Sequence, residues 1–331
     1  MLTPPAGLPD GALSEALAEG WRIDIADLAY QPVGWGSHHW AATGHDGARW
    51  FVTVDELAGR RQHADEPLDA ALSRLAAALS AAHALHEAGR GFVVAPVPTV
   101  EGRIVRRVGN HALALYPHVE GDSFGFGHQP DTDHAAAVLD MVVAVHGSPA
   151  RVRDLAPVDD FAIPHRDQLE AALVESDGSA RPSAVGPYAL EVAGLISRHA
   201  AAIRSALGRY DDLVTNALSA PSRAVLTHGE PHPGNTMRTV DGWVLIDWDT
   251  ARVAPPERDL WSLDPGDGTM HAAYAERTGT ALRPALLELY RRRWDLADVA
   301  VDVARFRRPH EGTAEDAKAF EILSAQVAGL D

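Results

Sequence analysis

The chain changes its pattern of apolar residues once, at about residue 115, and that change restricts the fold more than any other feature. Before it, strand-like runs and turn signals alternate with two helical segments. After it, helical spacing dominates. Residues 11–27 read as a short amphipathic helix with Leu13, Leu17 and Trp21 on one face. Residues 39–43 and 50–54 flank His45-Asp46-Gly47, whose Asp-Gly pair is a hairpin signal. Residues 64–88 form a long Ala- and Leu-rich helical pattern stopped by Gly89 and Gly91. Strand-like runs follow at 92–100, 103–108 and 112–116. Beyond them come a helix at 134–146, helical stretches over 168–218 interrupted by a loop at 177–187, a short strand at 224–226, a hairpin around Asp241-Gly242, and helix from Met270 almost to the end. The expectation is an α+β chain of two lobes. Residues 1–115 would form a small lobe of antiparallel sheet and one long helix, 116–121 a hinge, and 122–331 a larger, mostly helical lobe.

Composition narrows the function. A net charge of -17 disfavours nucleic acid, whose phosphates are bound mainly by Lys and Arg, and suits a cationic small molecule. No apolar run approaches the roughly 18–20 residues that a membrane span needs, and the opening residues lack the pattern of a signal peptide. A cytoplasmic location and no membrane partner are therefore expected. There is no cysteine, which excludes disulfides and thiolate metal sites. Lys318 is the sole lysine, so nearly every cationic role falls to arginine or histidine. Nothing in the sequence sets the oligomeric state.

The most informative segment is Thr227-His228-Gly229-Glu230-Pro231-His232-Pro233-Gly234-Asn235, followed by Val244-Leu245-Ile246-Asp247-Trp248-Asp249. Phosphoryl transfer needs a divalent metal held by a carboxylate and an amide oxygen, beside a carboxylate that orients the acceptor hydroxyl. Glu230 and Asn235 on one tight loop, and Asp247 at the end of a hairpin strand, offer those three groups. His228 and His232 stand four apart with a carboxylate between them, a faint zinc pattern. Pro231, Pro233 and Gly234 make the required helix implausible.

In order and spacing these residues resemble the catalytic and metal-binding loops of the aminoglycoside phosphotransferase family, whose pattern is His-Gly-Asp with Asn five residues later. Val145-His146-Gly147-Ser148-Pro149 and Ala254-Pro255-Pro256-Glu257-Arg258-Asp259-Leu260 extend the likeness over nearly the whole chain. Tyr116-Pro117-His118-Val119, with 246–249, 257–260 and 290–303, is most similar to the spectinomycin-modifying branch. The resemblance implies a protein-kinase-like two-lobed fold that uses ATP and Mg²⁺ on a small-molecule acceptor, with antibiotic resistance as a biological role. It implies that Asn235 and Asp247 hold the metal, that Tyr116, His118 and Val119 face the adenine, and that His228 and Asp259 brace the loops.

Two positions depart from the family pattern. Glu230 stands where the family has its catalytic Asp. The extra methylene moves the carboxylate by about 1.5 Å, and Glu230 is expected to serve as the base. Thr53, on the strand Trp50-Phe51-Val52-Thr53-Val54-Asp55, stands where the family has a phosphate-binding lysine. His38, His39, Arg49, Arg60 and Arg61 are the nearby substitutes, and the sequence does not choose among them. Gly34-Trp35-Gly36-Ser37 is the phosphate-loop candidate, with backbone amides of Gly34, Gly36 and Ser37 able to cradle phosphate. Trp35 either covers the nucleotide or packs on the lobe.

On the acceptor side, Asp249, Asp264 and Asp298 are the candidate carboxylates. Asp295, Asp298 and Asp302 share one helix face, and 120–124 is a further candidate lining segment. The leading expectation is an ATP- and Mg²⁺-dependent kinase of a hydroxyl on an aminocyclitol, aminoglycoside or similar molecule. The alternatives are a pseudokinase-like binding module, in which Thr53 and Glu230 mark lost catalysis, and a kinase of an endogenous amino alcohol or sugar.

Overall fold

A computed structural model describes residues 1–5, 7–178, 185–221 and 223–330. In chain order the first elements are α1 (Asp10–Trp21), β1 (Ile25–Gln31), β2 (His38–Gly44), β3 (Arg49–Glu56), α2 (Leu68–Glu87), β4 (Arg106–Val108) and β5 (His111–Pro117). Next come β6 (Asp122–Ser123), α3 (Thr132–His146), α4 (Ala150–Arg153), α5 (Arg166–Ser176), α6 (Ala189–Ser219) and β7 (Val225–Thr227). A single 3-10 turn, Pro233–Asn235, leads into β8 (Thr236–Thr239), β9 (Gly242–Leu245) and β10 (Arg252–Ala254). Helices α7 (Glu257–Leu260), α8 (Thr269–Thr278), α9 (Pro284–Phe306) and α10 (Ala314–Ala328) complete the chain. The fold is α+β and protein-kinase-like, as its sequence pattern led one to expect. The loop expected at 177–187 lies largely outside the described residues.

The chain divides into two compact units. The first comprises Met1–Arg60, Leu68–Asp159 and Arg223–Leu282, so the N-terminal sheet and the loops around Glu230 and Asp247 belong to one unit. Its five-stranded antiparallel sheet has the order β1-β2-β3-β5-β4. One face buries Trp40, Val52, Val54, Leu113 and Leu115 with Leu13, Leu17 and Trp21 of α1. Side chains alternate along a strand, so Phe51, Thr53 and Asp55 of β3 share the opposite face with Ala114 and Tyr116 of β5, their partners in register being Phe51↔Tyr116 and Thr53↔Ala114.

Two expectations are corrected here. The first helix stops at Trp21 instead of running to residue 27. Arg22 takes a left-handed φ of 57° and its N–H closes the helix on Ala18, and residues 25–31 gain more by pairing with β2 than by continuing the helix. Residues 92–100 do not form a regular strand either. Pro96 and Pro98 carry no N–H for a ladder, and pairing there is broken into a bridge from Val93 to Leu245 and separate bonds from the N–H groups of Val97, Thr99 and Val100 to the carbonyls of Leu115, Arg103 and Gly20.

The first unit also holds the sheet β6-β8-β9 and the pair β10-β7. The second unit comprises Arg61–Pro67, Asp160–Ser222 and Arg283–Asp331, and is built on helices α5, α6, α9 and α10. Arg307 pairs there with Glu175 at 2.7 Å, and Thr313 and Asp316 form a capping box at the start of α10. No helix among the described residues is long and apolar enough to cross a membrane.

Candidate active site

The segment from β7 to β10 is held by buried polar bonds. His228 is fully buried, and its two ring nitrogens are both occupied. Nε2 donates to the Ile246 carbonyl at 2.9 Å, and Nδ1 accepts the Glu230 N–H at 3.2 Å. Burial holds its pKa below the usual histidine range despite the nearby Asp259 carboxylate, which matches a neutral ring used as a brace. The zinc reading fails on the same bonds, since neither nitrogen is free. Asp259, also fully buried, accepts the backbone N–H groups of His228 and Gly229 and a bond from His146 Nε2 at 3.0 Å. Burial alone would raise its pKa; the bond and charge of His146, with Arg258, hold it below the carboxylate range. Gly229 sits at φ 106°, and a Cβ there would run into the Arg258 guanidinium. Arg258 in turn donates to Thr227 Oγ1 at 2.9 Å and to the Thr250 carbonyl at 2.8 Å.

This frame sets out the three polar side chains singled out by the sequence. Glu230 is part-exposed, with Oε2 at 3.7 Å from His232 Nε2. Asn235 is buried and donates through Nδ2 to the Glu230 carbonyl at 2.9 Å. Among the described residues its Oδ1 has no hydrogen-bond partner. The Asn235 carbonyl accepts the Ile246 N–H at 2.9 Å, and β8 and β9 pair Thr236 with Leu245, so Asn235 and Asp247 flank the same two-stranded ladder. Asp247 adopts a left-handed φ of 63°, a conformation costly for most residues but tolerated by Asp. Its side chain is open to solvent, yet protein surrounds it on most sides. That depth, the charges of Asp249 and Glu230, and a hydrogen bond with Asp249 push its carboxyl well above the usual range.

Arg60 joins this group from the turn after β3. Its Nε and Nη2 donate to Asp55 at 2.9 and 2.5 Å, and Nη2 also donates to Ser37 Oγ at 2.9 Å and pairs with Asp249. Ser37 donates to Asp55 at 2.8 Å. Asp249 lies below the carboxylate range although burial opposes this, because the Arg60 charge and hydrogen bond outweigh it. The Tyr116 hydroxyl has its pKa raised first by burial and then by Asp247, Asp249 and Asp55, with Thr53 pulling the other way.

The other candidate cations are differently placed. Arg49 pairs with Glu120 and meets His118 Nε2 at 3.0 Å, tying β3 to residues 118–120 after β5, on either side of Val119. His38 is buried between Tyr30 and the Thr3 carbonyl. His39 stacks on Phe51 with ring centroids 5.1 Å apart. Burial, with nearby positive charge, lowers its pKa to about 4, so it is neutral at pH 7. Arg61 lies in the other unit and donates to the Ala64 carbonyl. Gly34, Trp35 and Gly36 are exposed, with φ of 71° and 95° at the two glycines.

The acceptor-side carboxylates are scattered. Asp249 is engaged by Arg60. Asp264 spends its oxygens on the backbone N–H groups of Gly266, Gly268, Met270 and His271 at the start of α8. Asp298, on α9 in the second unit, accepts from Gln326 at 2.7 Å. Asp55 was missed from the sequence. The signal available was its place two residues after Thr53 on one strand, hence on the same face.

No group of three or more His, Asp or Glu side chains among the described residues is placed to hold a metal ion. The donor chemistry at Asn235 and Asp247 nonetheless suits a hard divalent cation that takes its remaining ligands from phosphate oxygens. Asn235 has an amide oxygen with no hydrogen-bond partner among the described residues, and such a cation would offset the burial and neighbouring negative charge that push the Asp247 carboxyl up.

A five-stranded sheet followed by catalytic-type loops in this order defines a kinase-like phosphotransferase. The phosphotransferase enzyme family model matches residues 30–301, and Protein StrN of Streptomyces griseus is 32% identical over 252 residues, 72% of this chain and 73% of that protein. The chain belongs to the phosphotransferase enzyme family. In fold it is similar to a spectinomycin phosphotransferase solved with ADP and spectinomycin, with a TM-score of 0.68, 17% identity and coverage of 97% of this chain and 98% of that one. Choline kinase LicA from Streptococcus pneumoniae is similar at a TM-score of 0.57 and 11% identity, covering 97% and 99%. The resemblance read from the loops at 228–235 and 246–249 is thereby borne out at the level of family and fold.

Proposed function

We propose that the protein is an ATP- and Mg²⁺-dependent phosphotransferase acting on a hydroxyl of a small cationic acceptor, with an aminocyclitol or aminoglycoside as the favoured class. The observation that carries this reading is the tie between the Asn235 carbonyl and the Ile246 N–H, which keeps a free amide oxygen and the Asp247 carboxyl on one ladder beside Glu230. In this reading residues 1–115 hold the nucleotide, with Gly34, Gly36 and Ser37 along its phosphates and Tyr116, His118 and Val119 along its base. Residues 116–121 are the hinge and 122–331 carry the acceptor. Glu230 orients the acceptor hydroxyl and takes its proton as the new O–P bond forms and the bond from the γ-phosphorus to the bridging oxygen breaks, releasing ADP. Mg²⁺ held by Asn235 and Asp247 would neutralise charge on the β- and γ-phosphates.

A solved relative binds ADP and spectinomycin, and others are a macrolide phosphotransferase and a choline kinase, which supports nucleotide use and a small hydroxylated acceptor. Titration calorimetry with ATP, with and without Mg²⁺, tests the first half, and ATP consumption over an acceptor panel beginning with spectinomycin tests the second. Metal-dependent binding with acceptor-dependent turnover supports the proposal, and no binding up to millimolar ATP would sink it. One observation favours a second reading, a binding module without turnover: the Thr53 side chain is neutral and brings no charge to the strand. Nucleotide binding without ATP consumption over the whole panel would decide for that reading.

A further inference from the structure

Lys318 pairs with Glu321 on α10, in the second unit, so the unit that holds the catalytic-type loops contains no lysine at all. It does contain one guanidinium in contact with the residues that would surround a nucleotide's phosphates. Arg60 touches Ser37 at the end of the glycine-containing loop, Asp55 on the face of β3 that also carries Thr53, and Asp249 two residues past Asp247.

Three features make this a built position and not a stray surface pair. The turn that carries Arg60 is pinned: its N–H bonds the Leu57 carbonyl, Leu57 is fully buried, and its own carbonyl accepts from Arg74 of α2 at 2.7 Å. The side chain is about three-quarters buried, at 25% exposure. Its donors are unevenly used. Nε and Nη2 take all the carboxylate and hydroxyl contacts, while Nη1 has no hydrogen-bond partner among the described residues. A guanidinium that is held at one edge and open at the other is suited to an anionic group with paired oxygens.

From this we infer that Arg60 is the phosphate-binding cation of the nucleotide site, doing from the turn after β3 what a lysine at position 53 would do from within the strand. Asp55 and Asp249 hold its Nε and Nη2 edge, and Nη1 offers two N–H groups to a nucleoside di- or triphosphate. The inference rests on the nucleotide use proposed above, and it names the residue that makes such use feasible in a chain with Thr53.

The test is the split in affinity between ATP and adenosine, measured by calorimetry in the presence of Mg²⁺. Wild-type protein is expected to bind ATP more tightly than adenosine. In Arg60→Gln, ATP affinity falls about tenfold or more, the size of a lost charge-assisted bond, while adenosine affinity is unchanged. Thr53→Lys introduced into Arg60→Gln restores the split, because it returns a cation to the same face of β3. Equal weakening of ATP and adenosine, or an unchanged split, overturns the inference by reducing Arg60 to a structural role. Should Arg60→Gln fail to fold, nitrogen-detected NMR of the wild-type protein decides, with the Arg60 guanidinium signal assigned by its absence from Arg60→Lys. A shift of that signal with ADP but not with adenosine supports the inference, and no shift with either overturns it. Wild-type protein that binds no ATP at all overturns the functional reading as well, which sets that failure apart from one confined to Arg60.

Discussion

Asp259 accepts the backbone N–H of His228 at 2.9 Å, joining residues 31 positions apart with both partners fully buried. With Gly229 and His146 as its other partners, this one carboxylate sets where the loop carrying Glu230 begins.

Asp259→Ala should therefore remove three acceptor contacts at once and leave two backbone N–H groups unpaired in the interior. The expected loss is about 3 kcal/mol or more of stability, with phosphotransferase activity abolished. Thermal unfolding of the purified variant checks it. A melting temperature equal to that of the wild type would mean that Asp259 does not brace the loop.

Gly229→Ala should be disabling for a different reason. Its φ of 106° lies outside the range that alanine adopts cheaply, and the added methyl would displace Arg258 from Thr227 and Thr250. A loss of about 2 kcal/mol with collapse of turnover is expected in thermal melts and steady-state assays. Unchanged kinetics would show that the loop relaxes freely.

Glu230→Ala is expected to lower kcat by about 10²- to 10⁴-fold while leaving ATP affinity in place, because the side chain is part-exposed and makes no buried bond. Turnover equal to the wild type would remove Glu230 from the role of base.

Asp302 provides a pH-dependent stability that is independent of the catalytic loops. It is buried on α9, and burial pushes its carboxyl up to about 7, with Arg305 pulling the other way. A carboxyl whose folded pKa exceeds its unfolded value contributes most when protonated. That contribution is full below about 4 and is lost as pH rises through about 7. Asp302→Asn should flatten this fall and raise stability at pH 8 by an amount on the order of 2 kcal/mol, read as a higher melting temperature. Parallel pH profiles of wild type and variant would refute the assignment.

The fold was legible where local rules agree. The Asp-Gly turns at 46–47 and 241–242, the stop at Gly89 and the helical spacing of 134–146 all mark real elements. The family was legible in the order of His228, Glu230, Asn235 and Asp247. Boundaries were less so. Residues 25–27, the start of β1, were hidden in a helical pattern because their strand state is decided by pairing with β2, and 92–100 looked like a strand whose prolines deny it a ladder.

The sequence by itself determined which chemical groups the protein has to work with: one lysine far from the catalytic segment, a threonine in the lysine's usual place, and a glutamate in the aspartate's. Only the tertiary structure decided which of five candidate cations meets the carboxylates. Arg60 is seven residues from Thr53 and 189 from Asp249, and no local pattern links those positions. They meet because the turn after β3 is pinned by buried Leu57 and by Arg74, and because Asp249 follows a strand whose own position depends on pairing with β8. An ion pair of this kind is a property of the packed elements that carry its partners, which is why it is invisible until they are assembled.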